Sequence, residues 1–394
     1  MADPVIVSKA VCDIIFASAA IDRARRGGVT NIAECLSLVL GRSVTEEEVR
    51  DRGQVVAKNV ETLYRLLKEP GIAQRTPAWY DARMTMVTAS DIAQALNCAK
   101  FGNQRMFYEK KCCDPADAAP FDATLPPLRW GIMFEPVAAN IYSRINGGVV
   151  VHEFGLLRHP TVPYVGASPD GITEDGVMLE IKCPWRRKID GEVPVQYYYQ
   201  MQGQLDVCGL DECDYFECEF EACANATEVE FHSGPDYERG VFVEERLLDG
   251  GACKYTYPPA DLYELGGLGT WADDQTSAGT SVEKKQIWWR LIKSATIRIR
   301  RDPVFVRKMF ERLDPVWANV ERYRTDRAAY VAEVVNTKRS VQTSTPSASA
   351  SASASTSDLL PSQSSAVKRR PAASRAKKSD SLLMSAYAFV DDAA

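Results

Sequence analysis

The stretch "GASPDGITEDGVMLEIKCPW", Gly166 to Trp185, decides how this chain is read. Asp170 precedes a glycine, which marks a turn. The segment "VMLEIKC" that follows has the apolar content of a strand, whose side chains alternate between two faces. Glu180 and Lys182 then share one face, while Leu179, Ile181 and Cys183 take the other and point into a core. Two opposite charges on one face are either a surface ion pair, worth little, or a metal ligand and its cationic neighbour.

The remaining composition narrows the choice. The chain has 394 residues, 45% apolar and 25% charged, which suits a soluble globular protein of one large or two medium domains. No apolar run reaches the ~20 residues of a membrane span. The early "VCDIIFASAAI" is too short to span and lacks a secretory signal's positive start and cleavage site, so the expectation is a protein neither secreted nor membrane-bound. Eleven cysteines form no disulfide framework and favour a reducing compartment. Cys208, Cys213, Cys218 and Cys223 recur every five residues. That step alternates strand faces and exceeds the usual gaps of zinc ligand pairs, so core packing is favoured over zinc. The net charge of −6 divides into −10 for residues 1–337, with 39 basic and 49 acidic residues, and +4 for the rest. Bulk charge gives no support for a DNA binder, although a local basic groove around a carboxylate site remains compatible with it.

Four regions follow from the patterning. Residues 1–75 read as a helical N-terminal region, with Thr45 and Glu48 in capping-box spacing and apolar positions at helical intervals. Residues 76–337 alternate helical and strand patterns, which argues an α/β domain. Within them "EPVAANIYSRING" reads as a helix with Pro136 in its first turn, "GVVVHEFGLLRH" as a strand, "VPVQYYYQMQGQLDVCG" as a helix and "YFECEFEA" as a strand. Around 235–290 the pattern weakens into an expected insertion or elaborated loop. Residues 338–394 form a Ser/Ala-rich linker and basic tail that cannot bury enough surface to fold. The segment "KRRPAASRAKK", Lys368 to Lys378, carries two basic clusters. They match a nuclear-import signal, with non-specific phosphate contact as the plainer alternative.

Phosphodiester hydrolysis needs an activated water, charge stabilisation at phosphate and help for the departing oxygen, all of which carboxylate-held divalent ions supply. An Asp at a turn beside a strand carrying Glu meets the need for hard oxygen ligands. A lysine on the same face orients the water or neutralises developing charge. Other chemistries find less support. His152, His159 and His232 are the only histidines, no serine stands in a "GxSxG" elbow, and "GGLG" at 266–269 is no phosphate loop.

Pro169-Asp170 with Glu180-Ile181-Lys182 resembles the PD-(D/E)xK nuclease superfamily. Further segments in order sharpen the likeness. "WYDARMTMVTASDI", "WGIMFE", "SPDG…LEIKCPW" and "YYYQMQGQL" resemble the motifs of the phage-lambda-type exonucleases, the YqaJ-like viral recombinase family that includes viral alkaline nucleases. The resemblance covers about Trp79 to Val207 well and says nothing about residues 1–75, 235–290 or the tail. It implies a restriction-endonuclease-like α/β core, a central mixed sheet flanked by helices.

By the same resemblance Asp170 and Glu180 are metal ligands with the Ile181 carbonyl, Glu135 completes the acidic cluster and Lys182 positions the attacking water. Gln200 is implied near the centre, with Gln202 and Gln204 left open. Arg83, Ser90 and Ser168 match positions receiving a 5′-phosphate, and Trp79 is placed to stack on terminal bases. The implied activity is Mg²⁺-dependent 5′–3′ exonucleolysis of double-stranded DNA, with Mn²⁺ as a possible substitute, leaving 3′ single strands for viral recombination. A single-strand annealing or binding protein is the implied partner, a homotrimer is possible and a host nucleus the implied location. A non-catalytic DNA-end scaffold, and a nuclease acting mainly as endonuclease or on RNA, stand as alternatives.

Overall fold

The computed structural model describes residues 42–113, 125–225, 238–247, 253–259, 267–277 and 282–336, with Ala33, Ser37 and Leu262. The start of the 1–75 region, His232 and the tail with Lys368–Lys378 lie outside the described residues. Helix α1 (Glu46–Leu66) opens with the capping box its sequence predicts: Thr45 Oγ1 accepts the Glu48 N–H, and the Glu48 carboxylate accepts the Thr45 N–H. Two orphan donors of the first turn are satisfied in this way. Leu63 and Leu66 enter the main core, while Arg52 and Lys58 pair with Glu212 and Asp211. Ordering on both faces fixes this helix to the α/β body.

The strands form two sheets. The smaller joins β1 (Val87–Thr88), β4 (Val165–Ala167) and β3 (Leu157–Arg158) in that order. The larger runs β2 (Val151–His152), β5 (Gly171–Thr173), β6 (Met178–Lys182), β7 (Glu212–Cys223), β10 (Val282–Arg300), β8 (Arg239–Leu247) and β9 (Lys254–Thr256). β6 and β7 pair in parallel and the other neighbours are antiparallel, which makes the sheet mixed. A parallel pair needs a crossover. Helix α6 (Val195–Cys208) provides it, and Gly209, left-handed at φ 74°, ends it.

Alternation along β6 and β7 separates two cores. Leu179, Ile181 and Cys183 join Phe216, Cys218 and Phe220 beneath helix α5 (Pro126–Ile145), where Phe134 stacks on Phe220 with centroids 4.4 Å apart. Met178, Cys213 and Tyr215 turn the other way, toward Met201 and Leu205 of α6 and Leu313 of helix α8 (Pro303–Thr325). Truncating a buried ring such as Phe134 costs about 3–5 kcal/mol. Cys208, Cys213 and Cys218 are buried in these apolar clusters, Cys213 and Cys218 on opposite faces of β7.

Three local expectations change. α5 begins at Pro126 rather than near Glu135, because Pro126 and Pro127 occupy the first helical positions, where a missing N–H costs nothing. Pro136 therefore lies inside the helix rather than in its first turn. "GVVVHEFGLLRH" is two strands, since β2 pairs with β5 and β3 with β4. The chain changes sheets near Gly155, where a Cβ would meet Ile72 O at 2.1 Å. The described part of 235–290 supplies β8, β9 and the first residues of β10 to the large sheet, with helix α7 (Leu268–Ser277) packed on it through Ala272 against Val241 and Trp288.

Candidate active site

Glu180 is fully buried on the α6 side of β6. One oxygen accepts Gln200 Nε2 at 2.8 Å, the other accepts Gln204 Nε2 at 2.7 Å, and Lys182 Nζ lies 2.9 Å away. Residues four apart share a helix face, which is why Gln200 and Gln204 both reach Glu180. Gln202 faces away, donating to Arg300 O and accepting the Asp302 N–H. An ionised carboxylate only accepts hydrogen bonds, so both amide nitrogens must face it. The Oε1 atoms of Gln200 and Gln204 are then buried with no partner.

Asp170 sits where the chain leaves β4 for β5. Pairing of β5 with β6 stops at Gly171 and Leu179, so the Ile181 N–H has no strand partner on that edge. Asp170 Oδ2 accepts it at 2.6 Å. In an extended strand a residue's C=O shares the edge of its N–H, so the Ile181 carbonyl faces the same side. Burial, then the charges of Glu180 and Glu135, push the Asp170 carboxyl well above the usual range. Glu135, on α5, is also raised, by burial and by Glu180, with Arg75 and Lys182 pulling the other way. Burial works to lower Lys182, but Glu180, Tyr197 and Asp170 outweigh it and keep the ammonium protonated above its ordinary range. Its Nζ lies 4.7 Å from the centre of the Tyr197 ring.

The far end of the cleft is built on helix α2 (Pro77–Met84) and a 3₁₀ turn, Ala89–Asp91, that runs into the short helix α3 (Ile92–Ala95). The Arg83 guanidinium lies over the Trp79 ring at 4.2 Å and donates to Ser90 Oγ at 3.3 Å. Trp79 Nε1 donates to Ser168 Oγ at 3.0 Å. Beneath them Asp91 binds Lys110 at 2.8 Å and Lys111 at 2.7 Å, both from helix α4 (Gln104–Cys112). Burial opposes ionisation of Asp91, and the two lysines overcome it and hold the carboxyl well below its ordinary value.

One cleft is lined by Trp79, Arg83, Ser90, Glu135, Ser168, Asp170, Glu180, Lys182 and Gln200, so every side chain singled out from the sequence meets there. Ile181 contributes backbone only. Trp79, expected to stack on a base, is 8% exposed with one ring face under Arg83, which makes it the floor beneath that arginine. Gln204, left open from the sequence, also lines the cleft, as do Gln74, Arg75 and Thr88, which were not singled out. "RTPAW" holds a signal for Gln74 and Arg75: Thr-Pro starts a helix, and the residues just before it sit at that helix's entrance.

The donor set is hard oxygen, the kind Mg²⁺ and Mn²⁺ take. Three carboxylates and two partnerless amide oxygens share the cleft with Lys182 and Arg75, and the carboxyls of Asp170 and Glu135 are both raised, burial being the largest cause. That composition fits a divalent cation. Among the described residues no three acidic, His or Cys side chains already converge on one point. Glu180 is tied to its amides and lysine, Asp170 to the Ile181 N–H and Glu135 to Arg75.

A turn carrying Pro169-Asp170, a strand carrying Glu180 and Lys182, and flanking helices α5 and α6 stand together in one mixed α/β arrangement. Residues 78–211 match the model of the YqaJ-like viral recombinase domain. An uncharacterized protein of Acanthamoeba polyphaga mimivirus is 24% identical over 331 residues, covering 68% of this chain and 59% of the relative. A protein of African swine fever virus is 25% identical over 209 residues, covering 44% of this chain and 59% of that one. The chain thus spans about 59% of the length of these relatives. The crystal structure of an alkaline exonuclease from Laribacter hongkongensis aligns at a TM-score of 0.40 and 23% identity, covering 68% of this chain and 98% of the other.

Proposed function

We propose that this protein is a divalent-metal-dependent deoxyribonuclease that degrades double-stranded DNA 5′ to 3′ from a phosphorylated end, leaving a 3′ single strand. The observation that carries the reading is the shared cleft, with Asp170, Glu180 and Lys182 at one end and Arg83, Ser90 and Ser168 at the other. A 5′-phosphate exists only at a strand end, so a pocket for it selects exonucleolysis.

Asp170, Glu180, Glu135 and the Ile181 carbonyl would hold the cation, which when bound supplies charge neutralisation at phosphate and acidifies a water. The chain's own part can be followed residue by residue. Gln200 and Gln204 fix the plane of the Glu180 carboxylate, and such outer partners govern both ligand orientation and affinity. Lys182, kept protonated by Glu180, directs a donor at the attacking water and at charge developing on phosphate. Arg83 offers a planar fork suited to a terminal phosphate, and Trp79 and Ser90 hold that fork in place. Ser168, two residues before Asp170, brings a hydroxyl to the same end.

The decisive experiment digests a linear duplex labelled at the 5′ end of one strand and the 3′ end of the other, with and without Mg²⁺, using wild type and Lys182→Ala. Early loss of the 5′ label that requires Mg²⁺ and disappears in the variant is expected. Intact duplex that is bound but never cut would overturn the reading and leave a DNA-end scaffold.

A further inference from the structure

Arg75 and Asn97 are the two non-glycine residues of positive φ among the described residues, Arg75 at 62°. Asparagine visits that region with some ease, whereas the Cβ of an arginine crowds its own backbone there. The turn is clamped on both sides of Arg75. Ile72 bridges Leu156, and Gln74 Nε2 donates to Phe154 O at 2.9 Å and to Pro169 O at 3.3 Å, beside Asp170. On the other side Thr76 caps α2 by accepting the Trp79 N–H. Held this way, the Arg75 guanidinium reaches across the cleft to Glu135 Oε2 at 2.9 Å. The Arg75 side chain is 44% exposed and that of Glu135 22%, and pairs so exposed add little to stability. The stability of this pair therefore gives little reason for the strained turn, and strain of this kind collects at functional sites.

We propose that Arg75 is a positioning residue, the built-in counter-ion of Glu135, and that it sets how readily the carboxylate cluster admits a hard divalent cation. This rests on the metal-dependent reading above. A cation that takes Glu135 must displace the guanidinium, and a guanidinium left nearby repels it. Both effects act in one direction, so removing the side chain strengthens cation binding.

The test needs no turnover. Mn²⁺ is titrated into the full chain without DNA, and free Mn²⁺ is read by electron paramagnetic resonance. Wild type is compared with Arg75→Gly and Arg75→Asn, both at ease in a left-handed turn. At least ~5-fold tighter binding in both variants is expected, the low end of ordinary coupling between sites. In a Glu135→Gln background the same changes should give a clearly smaller gain, since only the direct repulsion is then relieved. Equal or weaker binding in the Arg75 variants, with wild type binding normally, overturns the counter-ion role alone. A gain undiminished by Glu135→Gln overturns it too. If wild type binds no Mn²⁺, the metal reading falls and takes this inference with it.

Discussion

Gln204 donates through Nε2 to Glu180 Oε2 at 2.7 Å, one helical turn below the matching bond from Gln200 to Oε1. Glu180 is thus held by two neutral amides from one helix. Replacing either glutamine with alanine should lower activity or cation affinity about 10–100-fold, the range for outer partners of metal ligands. Gln204→Glu should do worse, since it sets a second anion against a buried one. Mn²⁺ titration and single-turnover cleavage check this, and wild-type behaviour of Gln204→Ala would make the contact ornamental.

Asp170 illustrates a conflict between stability and function. Its charge is buried among like charges, and burial leads the causes of its raised pKa. Asp170→Asn keeps an oxygen for the Ile181 N–H and removes the charge. Cleavage should vanish while Tm without metal equals or exceeds that of wild type. A large drop in Tm would show that the carboxylate serves folding instead.

Arg83→Ala should reduce the preference for 5′-phosphorylated over 5′-hydroxyl ends by about tenfold or more, as expected for losing a charged hydrogen bond. Trp79→Phe keeps a ring beneath Arg83 but loses the bond to Ser168, and should cost less. Initial rates on the two kinds of end give the ratio, and an unchanged ratio in Arg83→Ala would remove the pocket assignment.

Asp206 links His159 and Arg301 away from the cleft. Burial alone would raise its carboxyl, but hydrogen bonds from His159 and Arg301 bring it below the ordinary value. A depressed carboxylate contributes stability above its unfolded value near 3.9, and that contribution is lost as pH falls through the folded value. Wild type should lose more stability between about pH 5 and pH 2 than Asp206→Asn does. Urea unfolding across that interval measures it, and parallel curves would count against the pairing.

Gly155→Ala should be among the most damaging single changes. An added methyl would meet backbone rather than a yielding side chain, at Ile72 O. Overpacking of a rigid site costs roughly 1–3 kcal/mol, occasionally more. Denaturation and soluble yield report the result.

What the sequence revealed was mostly local. Glu180 and Lys182 on one face, with Leu179 and Ile181 on the other, follow from a period of two. The Thr45–Glu48 cap follows from a spacing of three. The glutamines were found as a group, but choosing Gln200 and Gln204 over Gln202 required knowing how α6 is rotated against β6. "ATIRIRR" reads as a strand and is the end of β10, but the first part of that strand escaped because its charged residues, Lys284, Lys285, Arg290 and Lys293 among them, blur the alternation, and a bulge between Leu291 and Lys293 shifts its register. Trp79 is assigned to terminal bases by resemblance, and its place beneath Arg83 comes from tertiary packing that the pattern does not carry. Arg75 stayed hidden because a positive φ leaves no mark on side-chain pattern.

Ser168 and Asp170 stand two residues apart on the short link that carries the chain from the three-stranded sheet to the seven-stranded one. Two residues reach at most ~7 Å. The interval between the end that would hold a strand terminus and the end that would cut it is thus a length of covalent chain. Heat, denaturant or a poorly packed variant can loosen either sheet, but the gauge between those two side chains is bounded by bonds that do not melt.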